Sequence, residues 1–217
     1  LPDVYIQVVM AYDDGGNLVH TGVYVGDDLD TYLDAAKASR AQNITVFEQG
    51  VDKIVAVMQA DEFRATWVAN KAVYRTRMAM AGGGELLVIA PGVKRFGEQP
   101  EVDDLIRKYG YISKSEVLEL YAHEEDMQEI PHGTAHLVHG SSEGRFTIRY
   151  APGGLTKEEI ESVGYQYMDV NEALERYNPD VMTDGWNTLP DGEKVYFIST
   201  PSAGLWATRA KLEERDV

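Results

Sequence analysis

Between Glu85 and Gly92 the chain reads ELLVIAPG, with five apolar residues in succession bounded by a charge and by turn residues. A run this short and this continuous predicts a strand covered on both faces, as in a parallel sheet. VYIQVVMAY (4–12) and LVHTGVYVG (18–26) flank DDGGN, whose residues favour tight turns, and together they predict a β-hairpin. DDLDTYLDAAKASRAQN (27–43) reads as a helix with acids in its first turn, where the helix dipole favours them. ITVFEQ and KIVAVM read as short strands around GVD. Within residues 61–84, Phe63, Trp67, Tyr74 and Met78 recur at spacings of four and seven. That stripe predicts a helix, with Gly82–Gly84 as its stop. QPEVDDLIRKYG and SKSEVLELYAHEEDM continue as helices, and FTIRYAPGG follows as a strand. LTKEEIESVG carries a capping box at Thr156 and Glu159. YQYMDV, NEALERYNP, DGEKVYFIST and SAGLWATRAKLEER carry the alternation to the end, with Trp206 expected as a packing anchor in a glycine-rich turn. Strands alternating with helices predict an α/β fold, a mostly parallel sheet flanked by helices in three layers, with an N-terminal β-hairpin. Residues 1–26 are read as a hairpin belonging to a missing N-terminal neighbour, and 27–217 as one α/β domain.

Composition narrows the functions that fit. Acidic residues outnumber basic ones 36 to 20, and the resulting charge of −16 would repel a polyanion, so nucleic acid is not expected as a partner. No run of about 18 apolar residues occurs, which argues against a membrane span. Cysteine is absent, so disulfides, thiolate metal sites and cysteine nucleophiles are all excluded. A reducing, cytoplasmic setting fits that composition. The chain has no initiator Met, enters a strand-like run at once and ends in the charged KLEERDV, which reads as a piece of something longer.

Candidate chemistry concentrates in PHGTAHLVHGSSEGRF. On a helix, the spacings of His132, His136 and His139 place all three on one face, where imidazoles can bind a transition metal. Against that stand the glycine inside the segment and the lack of an HExxH pattern. HGSSEGR, with Ser141 and Arg145, is either an anion cradle or a tight helix-to-strand connector. Lys71 and Arg75 lie one turn apart beside Trp67 and could hold a small carboxylate, or could simply lie over apolar surface. Lys94 and Arg95 follow the ELLVIAPG strand, where open α/β sheets bind ligands.

Taken together, TWVANKAVYRTRMAMAGGGELLVIAPGVKRFGE, AHLVHGSSEGRF, GYQYMDVNEALERY, DGEKVYFI and GLWA resemble the lactate racemase family, in a branch long described as a domain of unknown function. The family comprises racemases and epimerases of 2-hydroxy acids that use a nickel-pincer nucleotide. The resemblance implies a two-domain α/β protein with its site between domains, of which this chain is the second half. The first half of the family's proteins carries the lysine bonded to the pincer ring, the nickel-bound histidine and the two proton-exchanging histidines. The partner implied is therefore the N-terminal domain of the same protein. The substrate implied is a small 2-hydroxy acid, and no cofactor is expected to sit tightly on this half alone.

Lys71 matches the lysine of the family's Gln-x-x-Lys motif and is implied as a substrate or cofactor contact, with Arg75, His132, His136, Ser141 and Arg145 as further binding candidates. The glutamine position falls on Val68, and the family's tryptophan falls at or beside Gly133, where His132 stands in its space. Both departures point to a changed substrate. Two other readings remain at this stage. One is a non-catalytic binding module on the same fold, and the other is a free-standing enzyme with its own metal at the histidines.

Overall fold

The computed structural model describes residues 3–13, 15 and 17–213. Asp14 and Gly16 of the hairpin turn, and the last four residues of the charged tail, lie outside them. The chain divides into two compact units, 1–45 and 46–217. The first unit holds the hairpin together with the helix that follows and packs on it.

In the first unit, β1 (Tyr5–Tyr12) pairs antiparallel with β2 (Leu18–Gly26). The Asp13 carboxylate closes the turn by accepting from the Gly15 and Asn17 amides at 2.9 and 2.8 Å. Helix α1 (Leu29–Asn43) begins at an Asp28 cap that accepts from the Thr31 amide. It covers the face that carries Tyr5, Val9 and Ala11, with the Tyr5 and Tyr32 rings 6.0 Å apart and Ala35 buried. The opposite face pairs Ile6 with Val25 and Val8 with Val23, and all four are exposed.

The second unit follows the alternation read from the sequence. Its elements are β3 (Ile44–Phe47), β4 (Val51–Val57), α2 (Thr66–Ala69), α3 (Lys71–Thr76), β5 (Met80–Ala90), α4 (Pro100–Tyr109), α5 (Lys114–Tyr121), α6 (Glu125–Glu129) and α7 (Pro131–Gly140). Then come β6 (Thr147–Pro152), α8 (Lys157–Ser162), β7 (Gln166–Tyr167), α9 (Val170–Arg176), β8 (Gly185–Thr188), β9 (Lys194–Ile198), β10 (Leu205–Thr208) and α10 (Arg209–Glu213). Six strands form one sheet in the order β7-β6-β5-β4-β9-β8, and β3 pairs with β10 in a small second sheet. Every pairing in the large sheet is parallel except β8 with β9.

Leu86 to Ala90 are wholly buried because both faces of β5 are covered. Ile54, Leu86 and Val88 face a core filled by Phe63, Phe96, Ile106, Met127, Leu137 and Ile160 from the loops and α4–α8. Val55, Leu87 and Ile89 face the other way, onto Ala173 and Tyr177 of the α9 segment. The result is the expected three-layer α/β fold. Among the described residues, no helix is long and apolar enough to cross a membrane.

Two local expectations fail. The helix expected over 61–84 is two short helices, α2 and α3, broken at Asn70, and the chain is already in β5 by Met80. Backbone pairing overrides the apolar stripe. The Thr66 and Trp67 amides bond to the Arg95 and Phe96 carbonyls, and the Val51 amide bonds to the Ala79 carbonyl. Gly82–Gly84 therefore do not stop a helix. They form a bulge inside β5, where the register jumps from Val51↔Met80 to Lys53↔Glu85, and Gly83 takes a φ of 79° that favours glycine. Trp206 is buried as expected, but in strand β10 rather than in a turn. Strand β8 was not anticipated, because GWNT is too short and polar to show a pattern.

Candidate functional site

The sheet changes direction at β4, with β5 on one side of it and β9 on the other. Open α/β sheets bind ligands outside the carboxyl ends of strands near such a point. The loops leaving β4, β5 and β6 interlock there backbone against backbone. A Cβ at Gly92 would lie 2.2 Å from the Ala60 carbonyl oxygen, and one at Gly153 would lie 1.8 Å from that of Pro91. Only glycine permits that approach. The loop after β4 leads into Trp67, and the loop after β5 delivers Glu98 and Gln99. The latter loop is clamped to α4 by the Asp103 carboxylate, which accepts from the Phe96 and Gly97 amides at 2.7 and 2.9 Å.

Trp67, Glu98, Gln99, Val102 and His132 line a cavity of about 220 Å³. His132 sits in the first turn of α7, with Nε2 3.3 Å from Gln99 Oε1 and its ring edge-on to Trp67 at 5.9 Å. Among the described residues, Glu98 has no basic partner. Lys71 opens α3, four residues after Trp67, with its ammonium 5.6 Å from the Phe63 ring centre.

Behind the cavity lies a buried polar network. Thr66 Oγ1 donates to the Phe96 carbonyl at 3.0 Å and meets the Tyr111 hydroxyl at 2.8 Å. That hydroxyl meets His136 Nε2 at 2.9 Å. Asn70 Nδ2 donates to the Tyr165 hydroxyl, which donates to the Gly140 carbonyl. The Tyr111 and Tyr165 rings stack at 4.4 Å. Burial, with the neighbouring His139 second, pushes the His136 imidazole down to about 3, so it is neutral. The network fixes α2 against α7 through Thr66 and His136. Their neighbours Trp67 and His132 thereby keep their relative position.

The structure disperses the residues singled out from the sequence. His132 lines the cavity. His136 is 6% exposed and bonded to Tyr111, so it does not open onto a cleft. His139 lies against Tyr74, with rings 6.1 Å apart. The three histidines do not converge, and no three His, Asp or Glu side chains among the described residues form a metal-binding group. Ser141 is buried and accepts from the Glu143 amide, while the Arg145 amide bonds to the Ser142 carbonyl. The Arg145 guanidinium donates to the Arg77 carbonyl. Those groups serve the helix-to-strand connector. Arg75 donates to the Gly204 carbonyl at 3.0 Å, which ties α3 to the loop before β10. Lys94 and Arg95 are exposed on the β5 loop. The sequence pattern marks Trp67 as part of an apolar stripe and does not single out Glu98 or Gln99. The one sequence signal for them was their place after a buried parallel strand.

A larger, more open hollow of about 590 Å³ lies on the α9 face of the sheet and includes Lys53, Glu85, Arg149 and Arg176. Lys53, Glu85, Arg149 and Arg176 are each already paired. Glu85 bonds Lys53 and Arg149, and Arg176 bonds Asp191 and Glu193. With its demands met from within, that cluster reads as structural.

No family model matches the sequence, and no curated protein does. The fold does have solved counterparts. A structural-genomics protein from Thermotoga maritima superimposes with a TM-score of 0.68 at 20% identity, over 95% of this chain and 49% of that one. The architecture is one they share with lactate racemase. The lactate racemase apoprotein from Thermoanaerobacterium thermosaccharolyticum superimposes with a TM-score of 0.61 at 11% identity, over 94% of this chain and 46% of that one. At such identities the likeness is one of fold. The chain spans about half the length of these structures.

Proposed function

We propose that this chain is the C-terminal half of a lactate racemase-like racemase or epimerase of 2-hydroxy acids, inactive without its N-terminal half. The observation that carries the reading is the fold. It is lactate-racemase-like over nearly the whole chain, yet the chain spans about half of each counterpart. The hairpin supports it. Val4, Ile6, Val8, Val23 and Val25 leave an exposed apolar face on a two-stranded sheet, an arrangement that is marginal on its own.

The reaction proposed inverts the configuration at C2 of a 2-hydroxy acid. This half contributes Lys71, four residues after the cavity-lining Trp67, as the carboxylate contact. No three His, Asp or Glu side chains among the described residues form a metal-binding group, and on this reading the nickel-pincer nucleotide implied by the resemblance would be held by the other half. The dispersed histidines likewise give no support to a free-standing metal enzyme.

The test compares the 24.2 kDa chain with the longer gene product that contains it, following racemisation of a panel of 2-hydroxy acids by chiral chromatography. Turnover is expected only in the longer form, and Lys71→Ala there should lower it at least about tenfold, an ion-pair-sized loss. Turnover by the chain alone, or undiminished turnover in Lys71→Ala, would overturn the proposal.

A further inference from the structure

Resting on that reading, we infer that Asp103, braced by Arg107, is the positioning residue of the site, holding the loop after β5 where its side chains meet the cavity. Asp103 does not line the cavity, whereas Glu98 and Gln99, which follow directly on the amides it binds, do. Its two oxygens face opposite ways. Oδ1 accepts from the Phe96 and Gly97 amides, and Oδ2 accepts from Arg107 Nε at 2.5 Å. Arg107 donates onward through Nη1 to Glu159 Oε1 at 2.9 Å, and Glu159 Oε2 accepts from the Thr156 amide at 2.8 Å within the α8 capping box. The Arg107 guanidinium also lies 4.8 Å from the centre of the buried Phe96 ring. Thr156 follows the loop that leaves β6, and there the Gly153 and Gly154 amides donate to the Ala90 and Val93 carbonyls. These links close a ring that begins and ends on the loop after β5.

The ring needs a charged carboxylate at its centre. Three N–H groups converge on Asp103, and an ionised carboxylate only accepts. Burial opposes that charge, but Arg107 and the two amides outweigh it and hold the carboxyl below its ordinary range. Asparagine keeps the shape and one acceptor for the amides, yet it turns an NH₂ toward Arg107 Nε, donor against donor. The loop has no slack to absorb the change. A Cβ at Gly97 would lie 2.3 Å from the Asp103 amide nitrogen, so the loop backbone rests directly on the first turn of α4. A shift there carries Gln99 with it, and Gln99 Oε1 meets His132 Nε2 at 3.3 Å. Binding residues held this way before a ligand arrives lose less freedom when it does.

The chain itself reports the geometry, and the longer protein reports its use. By heteronuclear NMR of the labelled chain, Asp103→Asn should move the His132 Nε2 resonance and leave that of His136 in place, because His136 bonds Tyr111 and not the loop. In the longer protein, with the panel acid that turns over fastest, Asp103→Asn should raise KM about tenfold with kcat within about twofold, a loss of binding rather than of chemistry. Arg107→Gln, at a position more than a third exposed that leaves the fold intact, should raise KM about threefold. In the Asp103→Asn background it should add nothing, because its hold runs through Asp103. An unmoved His132 resonance, an unchanged KM, a fall in kcat at constant KM, or additive effects of the two substitutions would each overturn the inference. The two readings fail separately. If hydroxy acids turn over and KM is indifferent to Asp103→Asn, the positioning role is refuted and the racemase reading stands. If His132 responds as described and no hydroxy acid turns over, the racemase reading falls and the hold of Asp103 on the cavity stands.

Discussion

Acid should destabilise this protein through one histidine. His136 is buried, and its folded imidazole is depressed to about 3, mainly by burial. An unfolded histidine titrates near 6.5. Below that pH the unfolded chain takes up a proton that the folded chain refuses, so unfolding becomes easier as pH falls, and the loss levels off near pH 3. Each pH unit in the window is worth about 1.4 kcal/mol, so going from pH 6.5 to 5.0 removes about 2 kcal/mol. In a domain of this size that lowers the melting temperature by about 4–8 °C. The half-buried carboxylates do not blur the assay range. Burial opposes their charge, but hydrogen-bonded and charged partners hold Glu85 and Asp103 below the ordinary carboxylate range, on the acid side of the pH 7.5 to 5.0 assay. His139 is also lowered, by burial and then by Arg77, and adds a lesser slope of the same sign. Relief of acidic repulsion acts in the opposite sense but equally in any variant. The assay is therefore a difference, with urea or thermal midpoints of wild type and His136→Gln compared from pH 7.5 to 5.0. The wild type should lose about 2 kcal/mol more than the variant across that range. Parallel curves, within about 0.5 kcal/mol, would refute a neutral buried His136.

Gly140 packs so closely that an added Cβ would lie 2.3 Å from Tyr111 Cδ1 and 2.9 Å from Asn70 Nδ2. Gly140→Ala should therefore cost about 2 kcal/mol by overpacking, read as a melting temperature about 4–8 °C lower, and an unchanged midpoint would contradict the packing. Thr156 and Glu159 cap α8 reciprocally, and Thr156→Ala should cost about 1 kcal/mol by denaturant titration. On the hairpin's outer face, Ile6→Lys with Val25→Lys should reduce concentration-dependent light scattering of the chain without lowering its melting temperature, since neither side chain is buried. Scattering that persists would mean the face does not drive association.

Local pattern was enough for the elements whose partners lie close in sequence or whose burial is complete. The hairpin, the capped helices and the strand at ELLVIAPG follow from alternation, caps and an unbroken apolar run. The parallel three-layer class follows from their order. Local pattern misled where a distant strand competed. The stripe from Phe63 to Met78 satisfies helical spacing, but Val51 and Phe96 claim its backbone, and only the folded chain reveals that. The same holds for the three histidines. Their spacing predicted one face, and it does place them on one helix. Tyr111, 25 residues before it in the chain, takes His136 into the interior, while Gln99, 33 residues before it, holds His132 at the rim. Chemistry-bearing residue types and the end of the sheet where they gather are written in the sequence. Which of them meets water and which is buried is decided by long-range packing, because burial depends on partners that no local window contains.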